Sequence, residues 1–183
     1  MKITPHLFEA FLKCPTKSWL RAHGETGTGN AYADWVRTQT EAYCHEAQKR
    51  LLDGTPPEVR VVAPPESASL KTAQWRLALD VTVQSQVESC TLESCLPAIE
   101  RVPSEGRGRP AQFIPIRFVF TNKLGKDDKL LLAFDALVLS RLLGREIAIA
   151  RIIHGDAHAT LEVKTTALSG EVRKRLAKIT ALL

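Results

Sequence analysis

The sequence has no run of 18 apolar residues, so no segment is predicted to cross a membrane. Its opening stretch, MKITPHLFEAFLKC, is too polar for a secretory signal peptide, and we therefore expect a cytoplasmic protein. Internal repeats and low-complexity tracts are absent as well. What remains is a chain of 183 residues, 44% apolar and 25% charged, which is long enough to bury a core and is expected to form one domain over residues 1–183.

Cysteine is scarce, and none of the four cysteines belongs to a C-x-x-C pair. Cys90 and Cys95 have four residues between them, which is a weak spacing for a metal site. A disulfide framework is not expected in a reducing cytoplasm. On the residues alone, we interpret Cys14, Cys44, Cys90 and Cys95 as four separate thiols.

The sequence also lacks a phosphate-binding loop, because no Gly-Lys-Ser/Thr follows its glycine-rich stretch GETGTGN. Acidic residues are outnumbered by basic ones, 20 against 25, which gives a net charge of +5. A basic chain favours polyanionic partners, since each phosphate contact releases counterions.

Local signals predict three helices in the first third of the chain. Thr4 is a candidate N-cap for a helix that has Pro5 at its first position and is ended or kinked by Pro15. A short second helix is expected over Thr16–His23, and a long amphipathic third helix over residues 31–53. One face of the third helix is expected to carry Val36, Thr40, Tyr43, Ala47 and Leu51.

The middle of the chain has the pattern of a sheet. Lys71–Gln86 alternates apolar and polar residues, as a half-buried strand does. Glu88–Arg101 is short and mixed in composition, and it is not assigned to a strand. Further strands are predicted for the stretches VRVVA, FIPIRFVF, IAIARII and TLEVKT.

Two more helices are predicted in the second half. The apolar stretch Lys129–Leu143 is expected to end at Gly144, and a basic amphipathic helix is expected over residues 169–183 with Ser169 as its N-cap. In chain order the prediction is three helices, three strands, a long helix, two strands and a helix. This order predicts an α/β fold with a mixed central sheet flanked by helices.

Two residues have the character of metal ligands. Asp80 lies inside the strand pattern RLALDVTV, where an acid is costly unless it is paired or binds a cation. Its alternative role is a solvent-facing strand residue paired with Arg76. His45, in YCHEAQKRLL on the long helix, is a candidate ligand over the sheet, although a lone helical histidine is more often a surface residue.

Two lysines are candidates for stabilising charge at a phosphate. Lys123 follows the strand FIPIRFVF, and its alternative role is a solvated turn lysine. Lys164 shares a strand face with Glu162 in a literal E-x-K, which any amphipathic strand can produce. His154 and His158 flank the sequence GDA and are either further ligands or simply part of a turn.

Several of these stretches together resemble the RecB family of the PD-(D/E)xK nuclease superfamily. The similarity is to CRISPR-associated RecB-like exonucleases and to RecB-like nucleases joined to helicase or ribonuclease-H-like domains. It begins with ITPHLFEAFLKCPTKSWL, where a helix ends in Cys-Pro before a basic-aromatic run. It continues in the stretches YCHEAQKRLL, LALDVTV, PIRFVFTNKLG, KLLLAFDALVLSRLLGR and IARIIHGD.

The resemblance implies a restriction-endonuclease-like fold and metal-dependent cleavage of DNA that has a single-stranded end. Asp80 and His45 would then bind Mg²⁺ or Mn²⁺, and Lys123 would stabilise charge on the attacked phosphate. The phosphates would be held by basic residues of a loop, a turn and the last helix: Arg107, Arg109, Lys126, Arg173 and Lys174.

The chain departs from the family pattern at the site itself. The family's second metal-binding acid is expected two positions before Lys123, where this chain has Thr121. The glutamine and the tyrosine of the following helix are replaced by Leu130 and Phe134. Either the site is weak or rebuilt from residues such as Glu100, or the domain is an inactive nuclease fold that binds nucleic acid or docks to a helicase, integrase or transposase-type partner.

The family also gives a role to Cys14. In its iron–sulfur members, one N-terminal cysteine joins three from a C-terminal segment around a [4Fe–4S] cluster, which needs four thiolates. Cys14 matches the first of these positions, but the three-cysteine segment is not expected within residues 1–183. The resemblance therefore predicts an iron–sulfur remnant at Cys14 and no cluster in this chain.

Overall fold

A computed structural model describes residues 1–25, 27, 29–63, 70, 72–87, 90–104, 106 and 110–183. Within these residues the α-helices are α1 (Pro5–Lys13), α2 (Pro15–Ala22), α3 (Ala31–Asp53), α4 (Lys126–Leu143) and α5 (Thr166–Leu182). The strands are β1 (Lys2–Ile3), β2 (Arg60–Val62), β3 (Leu77–Val87), β4 (Cys90–Val102), β5 (Gln112–Val119), β6 (Ile149–His154) and β7 (Ala159–Lys164). A 3₁₀ turn, Pro57–Val59, precedes β2.

The strands form one mixed sheet in the order β2-β3-β4-β5-β6-β7, and β1 pairs with β4. The central strands β3, β4 and β5 are antiparallel, and β7 is antiparallel to β6. The pairs β2–β3 and β5–β6 are parallel. This topology confirms the predicted α/β fold with a mixed central sheet flanked by helices, and it is compatible with a restriction-endonuclease-like architecture.

Helices cover both faces of the sheet. On one face, α1, α4 and α5 build the larger core, in which Phe8 and Phe134 stack with ring centroids 4.9 Å apart. On the other face, α3 packs Ala47 and the half-buried Tyr43 and Leu51 against the sheet. The sheet residues under α3 are Leu77, Leu79, Ala98, Ile116, Phe118 and Ile153.

The helix ends that were predicted from the capping residues themselves are confirmed for α1 and α4. The Thr4 hydroxyl accepts a hydrogen bond from the amide of Leu7 at 3.3 Å, and Pro5 is the first residue of α1. Gly144 ends α4 with φ of +68°, a left-handed conformation that glycine adopts without steric cost.

The segment Glu88–Arg101, which the sequence left without a strand assignment, lies mostly in the sheet. Most of it belongs to β4, a 13-residue strand that pairs with β3 on one side and with β5 on the other. Its first half does alternate, since Leu92, Ser94 and Leu96 are buried while their neighbours are not. A buried serine and Pro97 interrupt the apolar pattern, which is why composition alone hid the strand.

The predicted start of the last helix is wrong. α5 begins at Thr166, three residues before Ser169, and the preceding residue Thr165 is buried with its hydroxyl donating to the carbonyl oxygen of Ile147. The Ser169 hydroxyl donates to the carbonyl oxygen of Thr166 at 2.9 Å and so lies within the first turn of the helix. The hydrogen bond from Thr165 to Ile147 joins residues that are distant in the sequence, so a local capping pattern cannot predict it.

Candidate functional site

At Asp80, the alternate apolar side chains of β3 change from one face of the sheet to the other. Leu77 and Leu79 pack with α3, whereas Val81 and Val83 pack with the layer formed by α1, α4 and α5. The backbone of Asp80 has φ of +51°, which is uncommon for a residue other than glycine but tolerated by aspartate. The alternation of β3 therefore skips at Asp80, and the side chain of Asp80 is exposed.

Pro97 of β4 accounts for this irregularity. Paired residues of β3 and β4 flank it on both sides, which puts Asp80 across from Pro97. Proline has no amide hydrogen, so it cannot complete the ladder between the strands. Gln48 of α3 bridges the two strands at this point. Its Nε2 donates to Oδ1 of Asp80 at 2.7 Å and to the carbonyl oxygen of Pro97 at 3.2 Å.

Both residues predicted to act with Asp80 are exposed. Lys123 is exposed in the turn between β5 and α4, and its carbonyl oxygen accepts a hydrogen bond from the Thr121 hydroxyl at 3.2 Å. His45 is exposed on α3, about one helical turn before Gln48. Within the described ranges, neither Lys123 nor His45 forms a hydrogen bond or ion pair with Asp80.

The carboxylates considered for the metal site have other partners in the structure. In the part of the chain that the structure describes, no three His, Cys, Asp or Glu side chains are grouped so that they could share a metal ion. The Asp80 carboxylate accepts from Gln48, and Glu100 forms an ion pair with Arg151. The Mg²⁺ or Mn²⁺ site therefore stays a prediction from the sequence.

The two histidines of the β6–β7 hairpin play different parts. His158 stacks on Tyr43 of α3 with ring centroids 4.6 Å apart, and its Nε2 lies 4.0 Å from a carboxylate oxygen of Glu46. His154 is the last residue of β6, where it pairs with Val119 of β5.

The structure contains a buried charge cluster that sequence reasoning missed. The Arg117 guanidinium of β5 donates two hydrogen bonds to Asp135 of α4, from Nε to Oδ2 and from Nη2 to Oδ1, the latter at 3.2 Å. The Ser94 hydroxyl of β4 donates to the same Oδ1 at 2.5 Å. Burial disfavours the charged guanidinium, but Asp135 outweighs that effect and raises the pKa of Arg117.

Two sequence signals point to this cluster once it is known. Arg117 is the one charged residue in the strand FIPIRFVF, and Asp135 is the one acid inside the apolar run LLLAFDALVL. A charge inside each of two apolar elements is costly unless the charges meet, because a buried ion needs a partner. We interpret Arg117 and Asp135 as a structural pair, since Asp135 is fully buried.

The four cysteines are free and lie apart. Cys14 is exposed at the N-cap of α2, where the backbone amide of Lys17 lowers the pKa of its thiol. Cys44 is half-buried on α3, and burial raises the pKa of its thiol. Cys90 is buried and Cys95 exposed on β4. Among the described residues, Cys14 belongs to no group of three or more possible metal ligands.

Helices α2 and α5 contact each other and form a surface on which positive charge is concentrated. The two helices contain six of the 25 lysines and arginines and one of the 20 acids, so together they carry +5. This equals the net charge of the whole chain, and the remainder holds 19 residues of each sign. The basic residues of this α2–α5 surface are Lys17, Arg21, Arg173, Lys174, Arg175 and Lys178.

The one acid of the α2–α5 surface, Glu171, is already neutralised. It forms ion pairs with Lys126 at 2.9 Å and with Arg175 at 3.2 Å. Arg173, Lys174 and Lys178 are exposed, and none of them forms an ion pair in the ranges that the structure describes. Of the other predicted phosphate contacts, Arg107 and Arg109 lie outside the described residues.

Comparison with known proteins gives the fold alone. No protein-family model matches the chain, and no curated protein matches it. Among solved structures, the chain is similar to the crystal structure of SSO0001, with a TM-score of 0.51 and 13% sequence identity. The match covers 100% of this chain and 76% of that one.

None of the described helices is long and apolar enough to cross a membrane.

Proposed function

We propose that this chain is a nucleic-acid-binding module that holds phosphates on its α2–α5 surface. The observation that carries the proposal is the concentration of charge, since two helices in contact hold an excess of basic residues equal to the entire net charge. Cations on a helical surface bind phosphates by releasing counterions, without reading a sequence.

The ion pairs around Glu171 support the same function. They remove the one negative charge that would repel a phosphate, and they leave Arg173, Lys174 and Lys178 available to a ligand. We place binding ahead of cleavage because the described residues provide a basic surface, whereas no group of three candidate metal ligands is found among them. The nuclease prediction for Asp80 and Lys123 becomes an alternative outcome of the test.

The test is the salt dependence of binding. Fluorescence anisotropy with labelled single- and double-stranded DNA would be measured between 50 and 300 mM salt, roughly the range over which phosphate binding weakens strongly. Replacing Arg173, Lys174 and Lys178 by glutamate is expected to abolish binding at the higher salt concentrations. The slope of log K against log salt is expected to become shallower by about 0.7 to 0.9 for each phosphate that the variant no longer neutralises.

A variant with the same change in charge is the matched control. Lys49, Arg141 and Lys164 are exposed residues on α3, α4 and β7, so their replacement by glutamate alters the net charge by the same amount at other surfaces. This control is expected to keep a salt slope close to that of the parent chain. Equal losses of affinity in both variants, or binding that ignores salt, would contradict the proposal.

Cleavage is measured on the same samples with Mn²⁺ added. The proposal expects binding without cleavage by the parent chain. Cleavage that is lost in both Asp80→Ala and Lys123→Ala would replace the proposed module by the metal-dependent nuclease. Cleavage that survives both substitutions would indicate a contaminant or a different site.

A further inference from the structure

The N-terminal half of α3 carries large aromatic rings on the protein surface. Tyr32 is 73% exposed and Trp35 52% exposed, and their rings stack with centroids 6.0 Å apart and planes 26° from parallel. Phe120, directly after β5, meets Trp35 edge-on with ring centroids 6.2 Å apart. Tyr32, Trp35 and Phe120 are called the aromatic platform below. Exposed rings grouped in this way are characteristic of interaction sites.

The platform is attached to a rigid part of the molecule. The Tyr43 hydroxyl donates to the carbonyl oxygen of Gly155 at 3.1 Å, which fixes the middle of α3 to the β6–β7 turn. Asn122 fixes the turn after Phe120 to the same hairpin, because it accepts from the amide of Asp156 at 3.0 Å and donates to its carboxylate at 2.8 Å. Rings that are already ordered cost little entropy when they bind a ligand.

The exposed area of the platform suits a small ligand. Tyr32 and Trp35 expose together roughly 300 Å², since an aromatic side chain offers about 150–250 Å². A stable protein interface buries about 800 Å² on each partner. The platform therefore falls short of what a second copy of the chain would need, and it matches the size of one or two planar rings.

Two lysines lie on the segment of chain that leads from Phe120 of the platform to a contact with α5. Lys123 is exposed in the turn that begins after Phe120. Lys126, at the start of α4, binds Glu171 of α5 at 2.9 Å and so joins this turn to the basic helix. A flexible strand that lies on α5 would pass the Lys126–Glu171 ion pair and then the exposed Lys123 before it reaches Phe120.

We propose that the aromatic platform stacks unpaired nucleobases of a strand whose phosphates lie on the α2–α5 surface. This inference rests on the proposed function, and it adds that bases contribute to binding as well as phosphates. Stacking on an aromatic ring tolerates any sequence, because every base has a π-face. Lys123 would contact the phosphate next to the stacked base.

The test compares two strands of equal length and charge, one of thymidine nucleotides and one of abasic nucleotides. The parent chain is expected to bind the thymidine strand about tenfold more tightly, because stacking one base changes affinity by about that factor. Trp35→Ala is expected to remove this difference and to leave binding of the abasic strand and the salt slope unchanged. Trp35→Phe, which keeps a ring, is expected to restore most of the difference.

A spectroscopic measurement identifies the ring involved. The chain has three tryptophans, so Trp19→Phe combined with Trp75→Phe leaves Trp35 as the sole indole emitter. Its fluorescence is expected to be quenched by the thymidine strand and to change little with the abasic strand. Thermal melting of Trp35→Ala, expected to match the parent because Trp35 is half exposed, confirms that the variant is folded.

The outcomes separate this inference from the function on which it rests. Equal affinity of the parent chain for both strands contradicts base stacking on the platform but leaves the proposal of phosphate binding intact. Equal weakening of both strands in Trp35→Ala also contradicts base stacking, because a base contact cannot weaken an abasic ligand. Binding of neither strand by the parent chain overturns the proposed function and the platform together.

Discussion

The two longest helices lie on opposite faces of the sheet and differ in how much of each is buried. α4 buries eleven of its eighteen residues, including Asp135, whereas α3 buries Ala47 alone among its 23. A charge on the buried face of a helix needs a partner, and Asp135 has one in Arg117. A helix that lies on the surface can carry exposed rings and charges, as α3 does with Tyr32 and Trp35.

The largest effect is expected from breaking the buried pair of α4. Asp135→Ala leaves the Arg117 guanidinium buried without its partner, which is expected to lower the free energy of unfolding by about 3–5 kcal/mol. Urea denaturation followed by circular dichroism measures this decrease. Arg117→Met together with Asp135→Leu is expected to recover most of it, since apolar residues can replace a buried pair. A double variant as unstable as the single one would argue against the pair as the cause.

A smaller effect is expected where α3 is attached to the sheet. Gln48→Ala removes the hydrogen bonds to Asp80 and to the Pro97 carbonyl, and it is expected to cost about 1–2 kcal/mol. Urea denaturation again gives the value, and Lys49→Ala is the control because Lys49 is the exposed next residue of α3. If both substitutions have the same small effect, Gln48 does not hold the irregularity at Asp80.

The smallest effect is expected from an ion pair on the same side of the sheet as α4. Burial raises the pKa of Glu9, but Lys13 at 2.9 Å outweighs burial and holds that pKa below its usual value. A carboxylate with a lowered pKa adds stability above the unfolded pKa of about 4.3, and this contribution disappears as the pH falls through the folded pKa.

Glu9→Gln measures this contribution directly. The substitution is expected to destabilise the protein by about 0.3–0.5 kcal/mol at pH 7, the usual value for a helical pair of this spacing. Midpoints of urea denaturation for the two proteins are expected to converge below about pH 4. A difference that persists at pH 3 would show that the pair is not its origin.

The parts of the fold that local chemistry determines could be predicted from the sequence. Thr4 and Pro5 start α1 because the cap and the first helical position need these residue types. The length and apolar character of α4 made its burial predictable. β4 escaped prediction because Ser94 and Pro97 occupy positions that only pairing with distant residues can explain.

The site was harder to predict than the fold, because its contacts join distant residues. Asp80 was identified as unusual within its strand, but its bond to Gln48 spans 32 positions and cannot be inferred from spacing. The opposite charges of Arg117 and Asp135 lie in separate apolar elements, and only the packing of α4 on β5 pairs them. Arg173 and Lys174 were predictable as surface residues because a helix that repeats basic residues must expose them.

The close contact between Gly155 and Asn122 makes two turns interdependent. Gly155 has φ of +69°, and a Cβ atom there would overlap the Asn122 side-chain oxygen. The left-handed conformation and the close contact both favour glycine at position 155. A methyl group at this point would displace the Asn122 side chain and disturb its two hydrogen bonds with Asp156, which connect the turn after Phe120 to the β6–β7 hairpin.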